Sequence, residues 1–173
     1  MERLRARQAL SCVAFYRRNL PHWHPRGKAL FITWRLHRSI QDQHCLRRAE
    51  IASVIADAIR YTERNLRHYD LHAWVVMSNH VHLLVHPLAE PALFLKIIKA
   101  FTARKVNQVL GRSGALWQHE SFDHWIRSQA EFDEIVGYIE ANPVRAGLVT
   151  RPRDFRWSSA FDSSGLKAGP TTC

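Results

Sequence analysis

Apolar positions recur along this chain at two different spacings, and the change from one to the other marks the elements. A loop punctuated by Pro21, Pro25 and Gly27 leads into Leu30-Phe31-Ile32-Thr33-Trp34-Arg35-Leu36, a run rich in β-branched and aromatic residues that predicts a strand. Ile51, Val54, Ile55, Ala58, Ile59 and Thr62 then follow at i, i+3, i+4 spacing, the stripe of an amphipathic helix. Residues 71–77 and 80–86 are strand-like and only Ser78-Asn79 separates them, which predicts an antiparallel hairpin. A second helix is expected after Pro87 and Pro91, with Phe94, Ile97, Ile98 and Phe101 inward and Lys96, Lys99 and Arg104 outward; Gly111 and Gly114 end it. Residues 116–127 read as a further strand.

The last helix has the plainest start. Ser128-Gln129-Ala130-Glu131 fits a capping box, in which the hydroxyl and the carboxylate each satisfy a free backbone N–H. Phe132, Ile135, Val136 and Ile139 form its buried stripe, and Asn142-Pro143 is expected to stop it, because proline pushes the preceding residue out of the α region. The order is strand, helix, two strands, helix, strand, helix. The tight central hairpin excludes a purely parallel sheet, and the economical solution is an α+β sandwich of ferredoxin type, an antiparallel sheet with helices packed on one face. By composition the chain divides into a basic N-terminal extension (1–29), a single domain (30–149) and a tail that is basic and then small and polar (150–173).

Charge adds a partner class. Twenty-five Lys and Arg against fifteen Asp and Glu give a net charge of +10, which favours a polyanion through counterion release and names no reaction. Cys12, Cys45 and Cys173 are widely spaced, which argues against a disulfide framework or a cysteine zinc site. The arginine-rich start lacks the apolar length of a signal peptide, and no run approaches a membrane span. The expected location is the cytoplasm, at the nucleoid, with no membrane partner.

Candidate chemistry begins at His80-Val81-His82. Side chains two apart on a strand share a face, so both imidazoles can reach one ion while Val81, Leu83 and Val85 face the core. Two histidines without a carboxylate leave a metal its full charge and open positions for a phosphoryl oxygen. The triplet alone also suits a half-exposed strand, and a second one, His22-Trp23-His24, is read as incidental. On the last helix, Tyr138 lies about 110° and Asn142 about 70° from the middle of the apolar stripe, so phenol and amide project together as i, i+4 neighbours. A packing tyrosine could occupy the same margin, so position alone leaves both readings open. Gly137, inside that helix, is either a point of mobility or a site of close packing.

These blocks carry a resemblance. Tyr69 to Val85, containing Trp74-Val75-Val76-Met77-Ser78-Asn79-His80-Val81-His82, resembles the signature of the REP-associated tyrosine transposases, relatives of the IS200-like single-tyrosine transposases. Phe122-Asp123-His124-Trp125, then Tyr138-Ile139-Glu140-Ala141-Asn142-Pro143-Val144-Arg145-Ala146-Gly147, then Trp157-Ser158-Ser159-Ala160 follow in the family's order, so the resemblance spans roughly residues 31–160. It implies the HUH nuclease fold and binding of single-stranded or hairpin DNA. It also implies cleavage with Mg or Mn, with His80 and His82 as metal ligands and Tyr138 as the nucleophile that forms a 5′-phosphotyrosine link. Asn142 falls where relatives place a third coordinating side chain, often Gln; direct ligation, ligation through water and a helix-end role stay open for this shorter amide. Ser78 replaces the family's usual proline. Imidazole suits Mn better than Mg, so Mn is expected to support cleavage at least as well.

The expected DNA surface comprises Lys96, Lys99, Arg104 and Lys105 on the second helix, and Arg127, Arg145, Arg151, Arg153 and Arg156 later, with Arg151 and Arg153 favoured. Trp125 and Trp157 are expected in the core. No G-x-x-x-x-G-K-[ST] loop is present, so no nucleotide cofactor is expected. A monomer and a homodimer both remain open. Two rivals stand beside the nuclease: a catalytically silent module that binds hairpin DNA or RNA, and a zinc hydrolase whose third ligand is His86 or His119.

Overall fold

The computed structural model describes residues 27–162. The elements are β1 (Leu30–Arg35), α1 (Ala49–Arg64), β2 (Tyr69–Val76), β3 (His80–Pro87), α2 (Pro91–Val109), β4 (Phe122–Trp125) and α3 (Gln129–Arg145), with single 3-10 turns at Cys45–Arg47 and Pro152–Asp154. Cys12, His22-Trp23-His24, Cys173, most of the basic extension and the end of the tail lie outside the described residues.

The strands form one antiparallel sheet in the order β2-β3-β1-β4. β1 and β2 flank β3, so the first strand-helix-strand unit is split by the hairpin, which is the ferredoxin-like arrangement expected. Alternation along the strands then decides the layers. Leu30, Ile32 and Trp34 of β1, Leu36 just after it, and Val81, Leu83 and Val85 of β3 turn to one face, where Ile51, Ile55 and Ile59 of α1 and Phe94, Ile98 and Val106 of α2 bury them.

The other face is apolar too. Ala29, Ala73, Val75, Met77 and Leu84 are buried there under Ile139 of α3, with Phe31, Phe132, Ile135, Val136 and Tyr138 packed around them. The expectation of helices on one face therefore holds for α1 and α2, whereas α3 covers the opposite face. The physical reason is that β2 and β3 carry apolar residues at both parities, and the second set also has to leave water.

Three local expectations are corrected. First, α3 does not stop at Pro143 but encloses it and runs to Arg145. Proline there forfeits one bond of the last turn, which a Schellman cap offsets: Leu148 N–H donates to the Pro143 carbonyl (2.9 Å) and Gly147 N–H to that of Val144 (3.0 Å). Gly147 sits at φ +67°, as that cap requires. Second, Phe101 is 39% exposed and Thr102 is buried in its place. The hydroxyl makes this possible by donating to the Ile98 carbonyl (2.7 Å) and accepting from Trp117 Nε1 (2.9 Å). Third, of residues 116–127 only Phe122–Trp125 is regular strand, with a lone bridge between Leu36 and Trp117 before it.

The capping box forms in part. Ser128 Oγ accepts from Glu131 N–H (3.2 Å), but the Glu131 carboxylate reaches back one residue further than expected, to Arg127 N–H (2.7 Å). Its other oxygen meets His124 Nε2 at 2.7 Å, which ties the start of α3 to β4. After α3 the chain returns to the sheet: Val76 N–H donates to the Trp157 carbonyl (2.9 Å) and Ser159 N–H to that of Trp74 (2.9 Å), so residues 157–159 line the β2 edge.

Candidate metal and tyrosine site

The site is assembled from the middle of the sheet upward. β3 presents His80 and His82 on the face that α3 covers, with the two Nε2 atoms 3.1 Å apart. Each ring is held at its other nitrogen. His80 Nδ1–H donates to Asn79 Oδ1 at 2.7 Å, which leaves His80 Nε2 with a free lone pair. His82 Nδ1 meets Thr33 Oγ1 at 2.7 Å, and a hydroxyl can donate or accept there. The hairpin turn that carries Asn79 is pinned in turn, since Leu36 N–H donates to the Asn79 carbonyl (2.9 Å) and Leu46 N–H to that of Ser78 (3.2 Å).

Burial keeps both rings neutral. It pushes the His80 pKa down to about 4, aided by the charge of Arg35. For His82 burial again leads, with His80 and Arg35 adding to it, and the pKa falls well below the ordinary histidine value. Neutral imidazoles with converging nitrogens are what a metal needs. Two neighbouring ligands on an octahedral ion with bonds of about 2.1 Å stand about 3.0 Å apart, against about 3.4 Å on a tetrahedral one. The observed spacing of 3.1 Å is compatible with either, so the pair could be bridged by one ion without moving far.

α3 brings Tyr138 to this pair. Its ring centroid lies 5.4 Å from that of His82 and 6.2 Å from that of Phe31, and the Phe31 ring stacks on His82 at 5.5 Å. Because α3 continues past Pro143, Arg145 is carried back over the Tyr138 ring, with its guanidinium carbon 5.4 Å from the ring centre. Asn142 is half-buried one turn beyond Tyr138. Of the residues singled out in the sequence, the fold sets Tyr138 beside His82, and His82 beside His80.

It missed their supports. Phe31, Thr33 and Arg35 alternate along β1 on the same face, and Thr33 and Arg35 stand directly opposite His82 and His80. The available signal was strand parity in β1, which has meaning only once the β1–β3 register is known.

The expected DNA residues are scattered. Lys96, Arg104 and Lys105 are exposed on α2, across the sheet from Tyr138. Lys99 does not face outward as expected: its ammonium donates to the carbonyls of Gln118 (2.7 Å) and His119 (3.0 Å), and burial lowers its pKa. It fastens the segment before β4. Arg127 and Arg153 are exposed, and Arg151 is paired with Asp154 at 2.8 Å. Arg156 lies over the Trp157 ring at 5.1 Å, and Trp157 and Trp125 both pack against the larger core as expected. His86 shares the face of His80 and His82 but is hydrogen-bonded to His72. Among the described residues no three His, Cys, Asp or Glu side chains are placed to share an ion, which removes the geometric basis for His86 or His119 as a third zinc ligand. Among the described residues, no helix is long and apolar enough to cross a membrane.

Comparison with known proteins bears on the same region. The chain resembles the structure of a REP-associated tyrosine transposase bound to a REP hairpin, with TM-score 0.61 and 21% identity over 83% of this chain and 82% of that one. This likeness identifies the fold, an α+β sandwich of the HUH type. A transposase structure from Deinococcus radiodurans R1 matches at 22% identity over 72% of this chain and 96% of that one, with TM-score 0.45. No curated protein matches the chain. The profile of the family described as "Transposase IS200 like" matches residues 38–142, which is more than half the sequence and includes His80, His82, Tyr138 and Asn142. The chain belongs to the IS200-like transposase family.

Proposed function

We propose that the protein is a metal-dependent single-stranded DNA endonuclease and strand transferase that recognises hairpin DNA and works through a 5′-phosphotyrosine intermediate. The observation that carries this reading is the meeting of Tyr138 with His82 at 5.4 Å between ring centres, beside two imidazole nitrogens 3.1 Å apart. Recognition of a hairpin is drawn from the similar transposase, whose structure holds one.

His80 and His82 would hold Mg or Mn, with Asn142 available one turn from the tyrosine. When bound, the ion supplies positive charge that polarises a phosphoryl oxygen and favours the phenolate. Tyr138 Oη attacks phosphorus and forms a new P–O bond as the bond to the 3′ oxygen breaks. The 3′ oxygen leaves with a proton as a hydroxyl, and the 5′ side of the break stays on the tyrosine. One phosphodiester is exchanged for another, so rejoining needs no nucleotide hydrolysis. Phe31 and α3 shield one side of this centre from water, and Arg145 sits where it can meet the phosphate or steady the ring. Lys96, Arg104, Arg127, Arg151 and Arg153 are the remaining candidates for contact with the DNA backbone.

The test is a denaturing gel of the protein incubated with labelled hairpin DNA taken from the flanks of its own gene. The expected result is a covalent band with Mn, at least as strong as with Mg, that is absent in Tyr138→Phe. Tight binding without an adduct in the wild type would instead identify a silent binding module. Strand cleavage persisting in Tyr138→Phe, or strict dependence on Zn, would transfer the chemistry to water.

A further inference from the structure

The next inference rests on the nuclease reading above and concerns Arg35. β1 is a rail along the site: Phe31 stacks on His82, Thr33 hydrogen-bonds it, and Arg35 follows on the same face directly opposite His80. The backbone beneath Arg35 is fixed, because its carbonyl accepts from Gln118 N–H (2.9 Å) and the next N–H donates to Asn79 (2.9 Å). Its side chain is exposed and makes no ion pair or hydrogen bond among the described residues. Other arginines are engaged: Arg48 pairs with Glu50 and Arg151 with Asp154.

A guanidinium beside a divalent-ion site is electrostatically awkward. Arg35 stands directly opposite His80 on the same face of the sheet, and a bound ion would add two more positive charges nearby. An anion that touches both cations reverses the sign of that interaction. A phosphodiester has two non-bridging oxygens, one for each cation, and the several N–H donors of a guanidinium hold such an oxygen with more directional control than the point charge of lysine. The geometry points to Arg35 as a phosphate-gripping residue of the active centre, which holds the DNA phosphate engaged at His80 and His82. Metal and DNA are then coupled through it, each tightening the other.

Titrating Mn against the protein, with free Mn followed by electron paramagnetic resonance and the single-stranded oligonucleotide dT12 as probe, tests this without any cleavage. In the absence of dT12, Arg35→Gln is expected to bind Mn at least as tightly as the wild type, since a repulsive charge is gone. Adding dT12 should tighten Mn binding in the wild type, and Arg35→Gln should lose about fivefold or more of that tightening. Arg35→Lys should recover part of it. Equal tightening in Arg35→Gln, or none in the wild type, overturns the role of Arg35 while His-dependent Mn binding leaves the nuclease reading intact. Mn binding that is the same in a His80→Ala, His82→Ala double variant sinks both.

Discussion

The hydroxyl of Thr33 can serve either tautomer of His82, donating to Nδ1 when Nε2 carries the proton and accepting from Nδ1–H when the Nε2 lone pair is needed. Thr33→Val keeps the shape and the strand preference and removes both roles. A buried nitrogen left without a partner costs about 1–3 kcal/mol, and loss of the group that orients a metal-bound imidazole lowers affinity by about 10–100-fold. Chemical denaturation and a Mn titration measure the two effects; unchanged Mn affinity would make Thr33 a packing residue only. At this scale His80 and His82 were legible because strand period alone puts them on one face. Thr33, Asn79 and Arg35 were not, since each acts on a partner whose position depends on a register or a turn that no local pattern fixes.

Among the elements, α3 has the most demanding task, because it must hold Tyr138 over the sheet from both of its ends. Glu131 ties the first turn to β4 through His124, and the Schellman cap closes the last turn around Pro143. Between these anchors stands Gly137, and close packing does not explain it: a Cβ there would meet no atom within 4 Å. Gly137→Ala should therefore stabilise the fold by about 0.5–1 kcal/mol through helix propensity and a less flexible unfolded chain, read as a shifted denaturation midpoint. If the glycine serves movement of the tyrosine helix, the same variant will slow cleavage or strand transfer despite its greater stability; unchanged rates would dispose of that role. The start of α3 was legible because its cap is local. Its end was misread because the cap that closes the helix around Pro143 depends on Gly147, which marks the true stop.

For the whole molecule, the question a single amphipathic stripe cannot answer is which face of the sheet a helix covers. The stripe of α3 requires only that one side be buried, yet the histidines point away from the face of Val81, Leu83 and Val85, so only a helix on that second face can deliver a tyrosine to them. The sequence-derived domain limit at residue 149 meets a similar long-range fact. β2 is an edge strand, and residues 157–159 occupy part of that edge while Trp157 packs against the core. A chain ending at Val149 should lose on the order of 2 kcal/mol from the buried tryptophan surface. It should also associate with rising concentration through the bared strand edge. A chain ending at Asp162 is the control, so that the difference between the two isolates residues 150–162. Thermal denaturation reads the first effect and light scattering the second. Because β2 holds β3 along one side, a loosened edge should also weaken Mn binding at His80 and His82. A Val149-terminated protein that stays monomeric and keeps the stability and Mn affinity of the control would mean that the returning segment only covers the edge and does not support the site.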